Sequence, residues 1–176
     1  MTNTDTTLQL AQSILGKTTG TFICNTEEET AQATVTMINQ TDRQLDILTR
    51  YFDPAIYDTD ACVEAFERLA LNSRHSRIRI LIQDTSKILY KEHRVLNLGK
   101  QLASYIEFRS PTGKYRTWSE NFLIADKIGV IHRPHADSHK TLISFNDVSI
   151  VQQLAPLFDT IWAEATLDPN MRNFVI

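Results

Sequence analysis

Imidazole and carboxylate crowd one short stretch of this 176-residue chain, where His132, His135, Asp137 and His139 fall close together. Such side chains hold metal ions or move protons. Their spacing argues against a metal. Structural zinc ligands sit in pairs on a defined turn or helix, Pro134 interrupts this run, and four ligands from one loop are geometrically awkward. The segment reads as a solvated polar loop, and neither a metal nor a cofactor is expected. Just upstream, Glu120 and Asn121 open a short apolar run, Phe122 to Ala125, that ends on Asp126. Polar residues also close or follow other apolar runs: Arg50 and Asp53, Gln83 and Asp84, Arg133, and Asn146. His93 stands in Glu92-His93-Arg94 at the start of a helical pattern. In open α/β sheets, ligands settle outside the carboxyl ends of the strands. If those ends converge, Arg50, His93, Glu120, Arg133, Asp137 and Asn146 line one polar cleft suited to a small anionic ligand. Each has a local role to set against this. Asp53 makes a turn, Asn146 caps a helix, Arg133 joins a surface ion pair and His93 sits exposed at a helix start.

The elements that must position these groups follow from periodicity. Thr7–Leu15 is a short amphipathic helix, and Thr21–Cys24 a possible edge strand. Asn25 or Thr26 caps a helix whose first turn is Glu27-Glu28-Glu29, with Ala31, Val35 and Ile38 on its apolar face. Leu45–Thr49 is a strand broken by Pro54. Asp58 or Asp60 starts a helix with Cys62, Phe66 and Leu69 inward. Arg77–Gln83 alternates basic and apolar residues before a continuous Ile-Leu-Ile, as a half-buried strand does. A helix over His93–Ala103 and a strand over Tyr105–Arg109 follow, then a turn at Pro111–Gly113. The strand pair Asn121–Ala125 and Val130–Ile131 joins across a Lys127–Gly129 turn. A last strand, Leu142–Phe145, leads to Asn146 or Asp147 as the cap of a long helix. That helix shows Val148, Val151, Ala155, Phe158, Ile161, Trp162 and Ala165 on one face, and Pro156 predicts a kink or restart within it. Helices and strands alternate first, then strands cluster. The pattern predicts an α/β fold, a mixed sheet flanked by helices.

Four pieces carry a family resemblance: Ile-Leu-Thr-Arg-Tyr-Phe-Asp-Pro (47–54), Arg-Ile-Arg-Ile-Leu-Ile-Gln-Asp (77–84), Glu-Asn-Phe-Leu-Ile-Ala-Asp (120–126) and Phe-Asn-Asp (145–147). With the element order, they resemble one half of a phospholipase D-like fold over roughly residues 45–165. They look closest to uncharacterised bacterial domains sometimes joined to, or named after, acetyltransferases. The phospholipase D pattern is His-x-Lys-x-x-x-x-Asp. Set on Asp126, it places Ser119 at the nucleophilic His and Asn121 at the phosphate-binding Lys. The family's Gly-Ser-x-Asn loop is replaced by His132-Arg133-Pro134-His135-Ala136-Asp137. The resemblance therefore implies a degenerate site with no catalytic residue of its own. A serine needs an adjacent base to become a nucleophile, and an asparagine brings no charge to a phosphoryl transition state. The acetyltransferase label does not carry over. It needs a Gly-rich turn around a pyrophosphate, and the glycines at 16, 20, 99, 113 and 129 stand singly.

Composition sets the remaining bounds. Apolar residues make up 42% and charged residues 22%, which is ordinary for a globular protein, so disorder is not expected. The chain reads as a single domain over 1–176, with an N-terminal helical extension (1–42), a core (43–166) and a tail (167–176). Its two cysteines, Cys24 and Cys62, suit neither a disulfide framework nor a metal site. No leader and no membrane-spanning run is evident, which predicts a cytoplasmic protein. Net charge is -3, yet residues 74–116 hold ten Lys and Arg against three carboxylates. A basic middle suits an anionic ligand or nucleic acid, although basic side chains also cover strand and helix edges. Nucleic acid ranks as unlikely, because aromatics at stacking intervals are missing. The expected function is a non-catalytic binding or regulatory module, completed as a homodimer because a phospholipase D site joins two halves. The alternatives are a phosphodiesterase or nuclease with a reassigned site built from His132, His135 or Glu120, and binding of an anion or nucleic acid through the basic middle. An enzyme running the family's own route is not expected.

Overall fold

The computed structural model of the chain describes residues 3–89 and 92–167, so the expected tail lies almost wholly outside the described residues. The strands are β1 (Phe22–Cys24), β2 (Gln44–Thr49), β3 (Arg77–Ile82), β4 (Ile106–Arg109), β5 (Asn121–Ala125), β6 (Gly129–Arg133) and β7 (Thr141–Ser144). The helices are α1 (Asn3–Gln12), α2 (Glu27–Gln40), α3 (Pro54–Tyr57), α4 (Asp60–Asn72), α5 (Ser86–Leu89), α6 (Arg94–Gln101) and α7 (Val148–Glu164). One mixed sheet orders the strands β1-β7-β6-β5-β2-β3-β4. The pairs β2–β3 and β3–β4 are parallel, whereas β5, β6, β7 and β1 join antiparallel. This is the expected α/β architecture.

Each face of the sheet buries its own apolar cluster. Ile47, Ile80, Leu123 and Ile131 meet α2, α4 and α6 on one side, through Met37, Phe66 and Val95. Leu48, Leu81, Phe122 and Ile124 meet α7 on the other, through Leu154, Phe158 and Ile161. Each such side chain, fully buried, stabilises the fold by roughly 1.5–3 kcal/mol.

Local chemistry explains where the elements depart from expectation. Helix α1 runs Asn3–Gln12 rather than Thr7–Leu15. Side chains take the amides that would continue it: Ile14 N–H donates to Thr18 Oγ1 at 2.8 Å and Leu15 N–H to Gln40 Oε1 at 2.9 Å. Thr26 caps α2 with a full capping box to Glu29. The buried face of α2 is Thr30, Ala33, Thr34, Met37 and Ile38, whereas Ala31 and Val35 are only half-buried. The threonines can bury because their hydroxyls donate to carbonyls of their own helix, Thr30 to Thr26 at 3.0 Å and Thr34 to Thr30 at 2.7 Å. Thr59, not Asp58 or Asp60, caps α4. Strand β3 is not half-exposed. Arg79 lies under α7, bonded to Asp46 on β2 at 2.7 Å and to Asp159 on α7 at 2.9 Å. Pro156 does not break α7; it sits on the exposed side, so the carbonyl deprived of its donor turns to solvent.

Candidate functional site

Strand direction sorts the polar residues between two ends of the sheet. At the carboxyl ends of β2 and β3, a cavity of about 230 Å³ opens on the face covered by α2 and α3. Its floor includes Leu123 and Ile131, and its walls include Thr30 of α2, Ile56 and Tyr57 of α3, and Thr49. The β6–β7 loop leans over it through Ala136, Asp137, Ser138 and His139.

Asn121 and Arg133 face each other in register across β5 and β6, and both line the cavity. Asn121 Oδ1 accepts the Arg50 N–H at 3.1 Å. Arg133 Nε donates to the buried Thr141 hydroxyl at 3.4 Å, and its guanidinium forms no ion pair among the described residues. Arg50 holds the overhanging loop by donating to Asp137 at 2.7 Å. Lys87 sits over the Tyr51 ring at 3.8 Å, again on the cavity wall. Burial pushes the Tyr57 phenol well above its ordinary range, against the opposing pull of the Arg133 cation. It therefore stays protonated and able to donate. Behind Tyr57 lies Phe52, whose ring stacks on Tyr57 at 4.5 Å and on His93 at 4.7 Å. Phe52 has φ of 49°, a left-handed conformation that costs a bulky residue on the order of 1 kcal/mol. The strain sits between the cavity residues Tyr51 and Asp53.

Only some of the expected cleft assembles. Arg133 and Asp137 line the cavity and Arg50 reaches it through Asp137. Glu120 does not, because its side chain falls on the α7 face, where Oε2 meets His132 Nε2 at 2.7 Å. His93 is buried behind Phe52 rather than exposed at a helix start, and burial lowers its pKa. Among the described residues neither ring nitrogen finds a well-aligned partner, and the Phe52 backbone supports the ring. Asn146 lies at the other end of the sheet, since β7 runs away from the cavity and Asp147 N–H bonds Ile128 O at 3.0 Å. His132, His135, Asp137 and His139 do not converge; among the described residues no three such side chains gather to hold a metal ion.

The three motif positions also separate. Ser119 is exposed, and its carbonyl accepts the Ala136 N–H at 2.7 Å. Asn121 lines the cavity. Asp126 lies a whole strand away, where its carboxylate accepts the amides of Asp42, Arg43 and Gln44 at 2.6, 3.0 and 2.8 Å. Arg133 cannot reach it, because β6 carries Arg133 to the opposite end. Among the residues not foreseen for the cavity are Thr30, Thr49, Tyr57, Lys87 and Thr141. A faint signal existed: three of them are threonines at positions where periodicity asks for an apolar side chain, and all three are buried.

A family model covers residues 26–174 of the chain, most of its length. The chain belongs to the DUF7931 family, a domain of unknown function. No curated protein matches the DUF7931 chain. Its fold, however, recurs in solved structures. Nuc from Salmonella typhimurium, a phospholipase D family member, superposes with a TM-score of 0.58 at 12% identity, covering 85% of this chain and 97% of Nuc. NucT from Helicobacter pylori gives 0.59 at 9% identity, over 86% and 99% of the two chains. TrmBL2, an archaeal chromatin protein with a novel mode of DNA binding, gives 0.61 at 15% identity. The DUF7931 chain is matched there over 86% of its length and spans about half, 54%, of TrmBL2. At these identities the likeness establishes a phospholipase D-like fold. Among the described residues of the DUF7931 domain, no helix is long and apolar enough to cross a membrane.

Proposed function

We propose that this DUF7931 domain is a phospholipase D-like module that binds a ligand without cleaving it, working as a homodimer in the cytoplasm. The observation that carries this reading is the state of Asn121. Where the family pattern has the phosphate-holding Lys, the side chain is a neutral amide whose oxygen is already engaged by the Arg50 backbone. Ser119, at the nucleophile position, is exposed and has no base bonded to it among the described residues. The cavity keeps what binding needs: shape, an apolar floor, hydroxyls and the Arg133 cation. Purified protein is expected to release no product from phosphodiesters of lipid, nucleotide or nucleic acid.

One observation favours a second reading, an enzyme with a reassigned site. Glu120 and His132 form a carboxylate–imidazole pair at 2.7 Å, the arrangement that orients a general base. The same assays separate the two. Turnover that disappears in Ser119→Ala or His132→Ala would overturn the binding reading in favour of catalysis.

A further inference from the structure

The basic middle of the sequence is dispersed by folding, and a different set of cations is assembled. Arg79 is buried against carboxylates, Arg94 pairs with Asp58 and Asp60, Arg109 pairs with Glu107, and Lys87 lines the cavity. Arg77 remains exposed, and at the end of the sheet opposite the cavity it meets cations from distant parts of the chain. Arg77 opens β3, and its N–H bonds the Arg43 carbonyl at 2.7 Å. Arg43 in turn is held by Asp126 through its own N–H at 3.0 Å. Lys127 follows Asp126 in the β5–β6 turn, where both residues adopt left-handed φ values of 49° and 58°. Lys17 follows Gly16, whose N–H bonds Phe145 O, just beyond β7, at 2.8 Å. Lys17, Lys127, Arg43 and Arg77 are all exposed, and none forms an ion pair among the described residues.

The strand order turns these contacts into a row. From β7 through β6, β5 and β2 to β3 there are four steps, each about 4.8 Å, so the row spans about 19 Å with roughly one cation per strand or turn. Acidic neighbours accompany it, most of them turned to backbone amides. Asp126 and Asp147 keep their charge but spend it on backbone amides, Asp126 on three and Asp147 on the Ile150 N–H at 3.0 Å, and with Asp42 they offset part of the row. The cations are not needed as helix caps either, since Arg68 already donates to the last carbonyls of α2, Ile38 at 2.7 Å and Thr41 at 2.8 Å.

We propose that the row Lys17–Lys127–Arg43–Arg77 is a docking line for a nucleic-acid phosphate backbone, separate from the cavity and independent of its ligand. A duplex carries one charge per about 1.7 Å of axis, so a row of this length lies along several phosphates. The cations stand on turns and strand starts rather than on a helix or ribbon able to enter a groove, so binding is expected to ignore sequence. A lipid surface fits less well, because the exposed apolar residues near the row, Ile14, Leu71 and Val148, stand on three separate segments rather than on one amphipathic face.

The test is fluorescence anisotropy of a labelled 20-base-pair duplex with the full chain, titrated with salt. Wild type is expected to bind in the micromolar range at about 50 mM salt, with a log–log salt slope between about -3 and -4. The triple variant R43Q/R77Q/K127Q is expected to bind at least tenfold more weakly, with the slope reduced by about 3. Arg133→Gln in the cavity should change neither quantity. Should the triple variant misfold, each single substitution still reads the proposal by lowering the slope by about one. No binding by wild type, equal binding by the folded triple variant, or a loss on Arg133→Gln matching that of the triple variant would overturn it. So would tight binding to anionic vesicles that the duplex does not displace.

Discussion

Asp126 accepts three successive backbone amides at one strand end and forms no ion pair among the described residues. The chain between α2 and β2 has no other side chain positioned to take those donors among the described residues. Asp126→Ala is therefore expected to lower unfolding stability by about 1–3 kcal/mol, read as a fall in the denaturation midpoint. Alanine also tolerates the left-handed conformation less well than aspartate, which adds to the loss. An unchanged midpoint would show that water replaces the carboxylate without cost. His93 supplies a pH prediction. Burial depresses its folded pKa below the ordinary 6.5, so the unfolded chain binds the proton more readily. Stability is complete above about pH 6.5 and declines as pH falls below it. His93→Phe, which preserves stacking on Phe52, should flatten that part of the pH–stability curve; an identical slope in the variant would assign the acid sensitivity to other groups.

At the scale of elements, Arg79 joins β2, β3 and α7 through Asp46 and Asp159, and its guanidinium also lies over the Phe158 ring at 4.8 Å. Arg79→Ala leaves Asp46 buried without its partner and is expected to cost about 3–5 kcal/mol, whereas the paired change R79M/D46L should be far milder. Thermal unfolding of both variants checks this, and equal losses would deny that the uncompensated charge is the cause. This pair also marks the limit of what the sequence discloses. The alternation Arg77-Ile78-Arg79-Ile80 correctly signals a strand, but it cannot say that α7, some eighty positions later, covers one face of it. Thr26 and Glu29 announce the start of α2 because a capping box is local. The rotation of its buried face depends on hydroxyl bonds from Thr30 and Thr34 that hydropathy does not register. The site suffers similarly. Glu120 and Arg133 lie at the same end of the β5–β6 hairpin, yet on opposite faces. Asn146 is at the other end altogether, because an antiparallel return carries it there.

For the whole molecule, the sheet takes β1 from the N-terminal segment and packs α1 on α2, so we propose that the described residues unfold as one cooperative unit. Coincident transitions by near- and far-ultraviolet dichroism are expected, and separated ones would divide the chain. The proposed homodimer should give a light-scattering mass near twice the 20.1 kDa of one chain, through an interface of about 1,600 Å². A monomer at micromolar concentration would remove that part of the functional reading. The two ends of the sheet are chemically unlike, a cavity at one and a row of cations at the other, so variants can separate the two proposed binding activities. The margins of the sheet differ as well. On the outer side of β4, Ser110 and Thr166 exchange backbone hydrogen bonds at 2.8 and 3.0 Å, so the strand is partly covered. A chain shortened to end at Ala165 would free the Ser110 amide and carbonyl and lengthen the open edge beside β4 that another copy can pair with. Turbidity that grows with concentration in the shortened chain, and not in the full one, is the expected sign. Two hydrogen bonds at a hem would then help to keep the sheet finite.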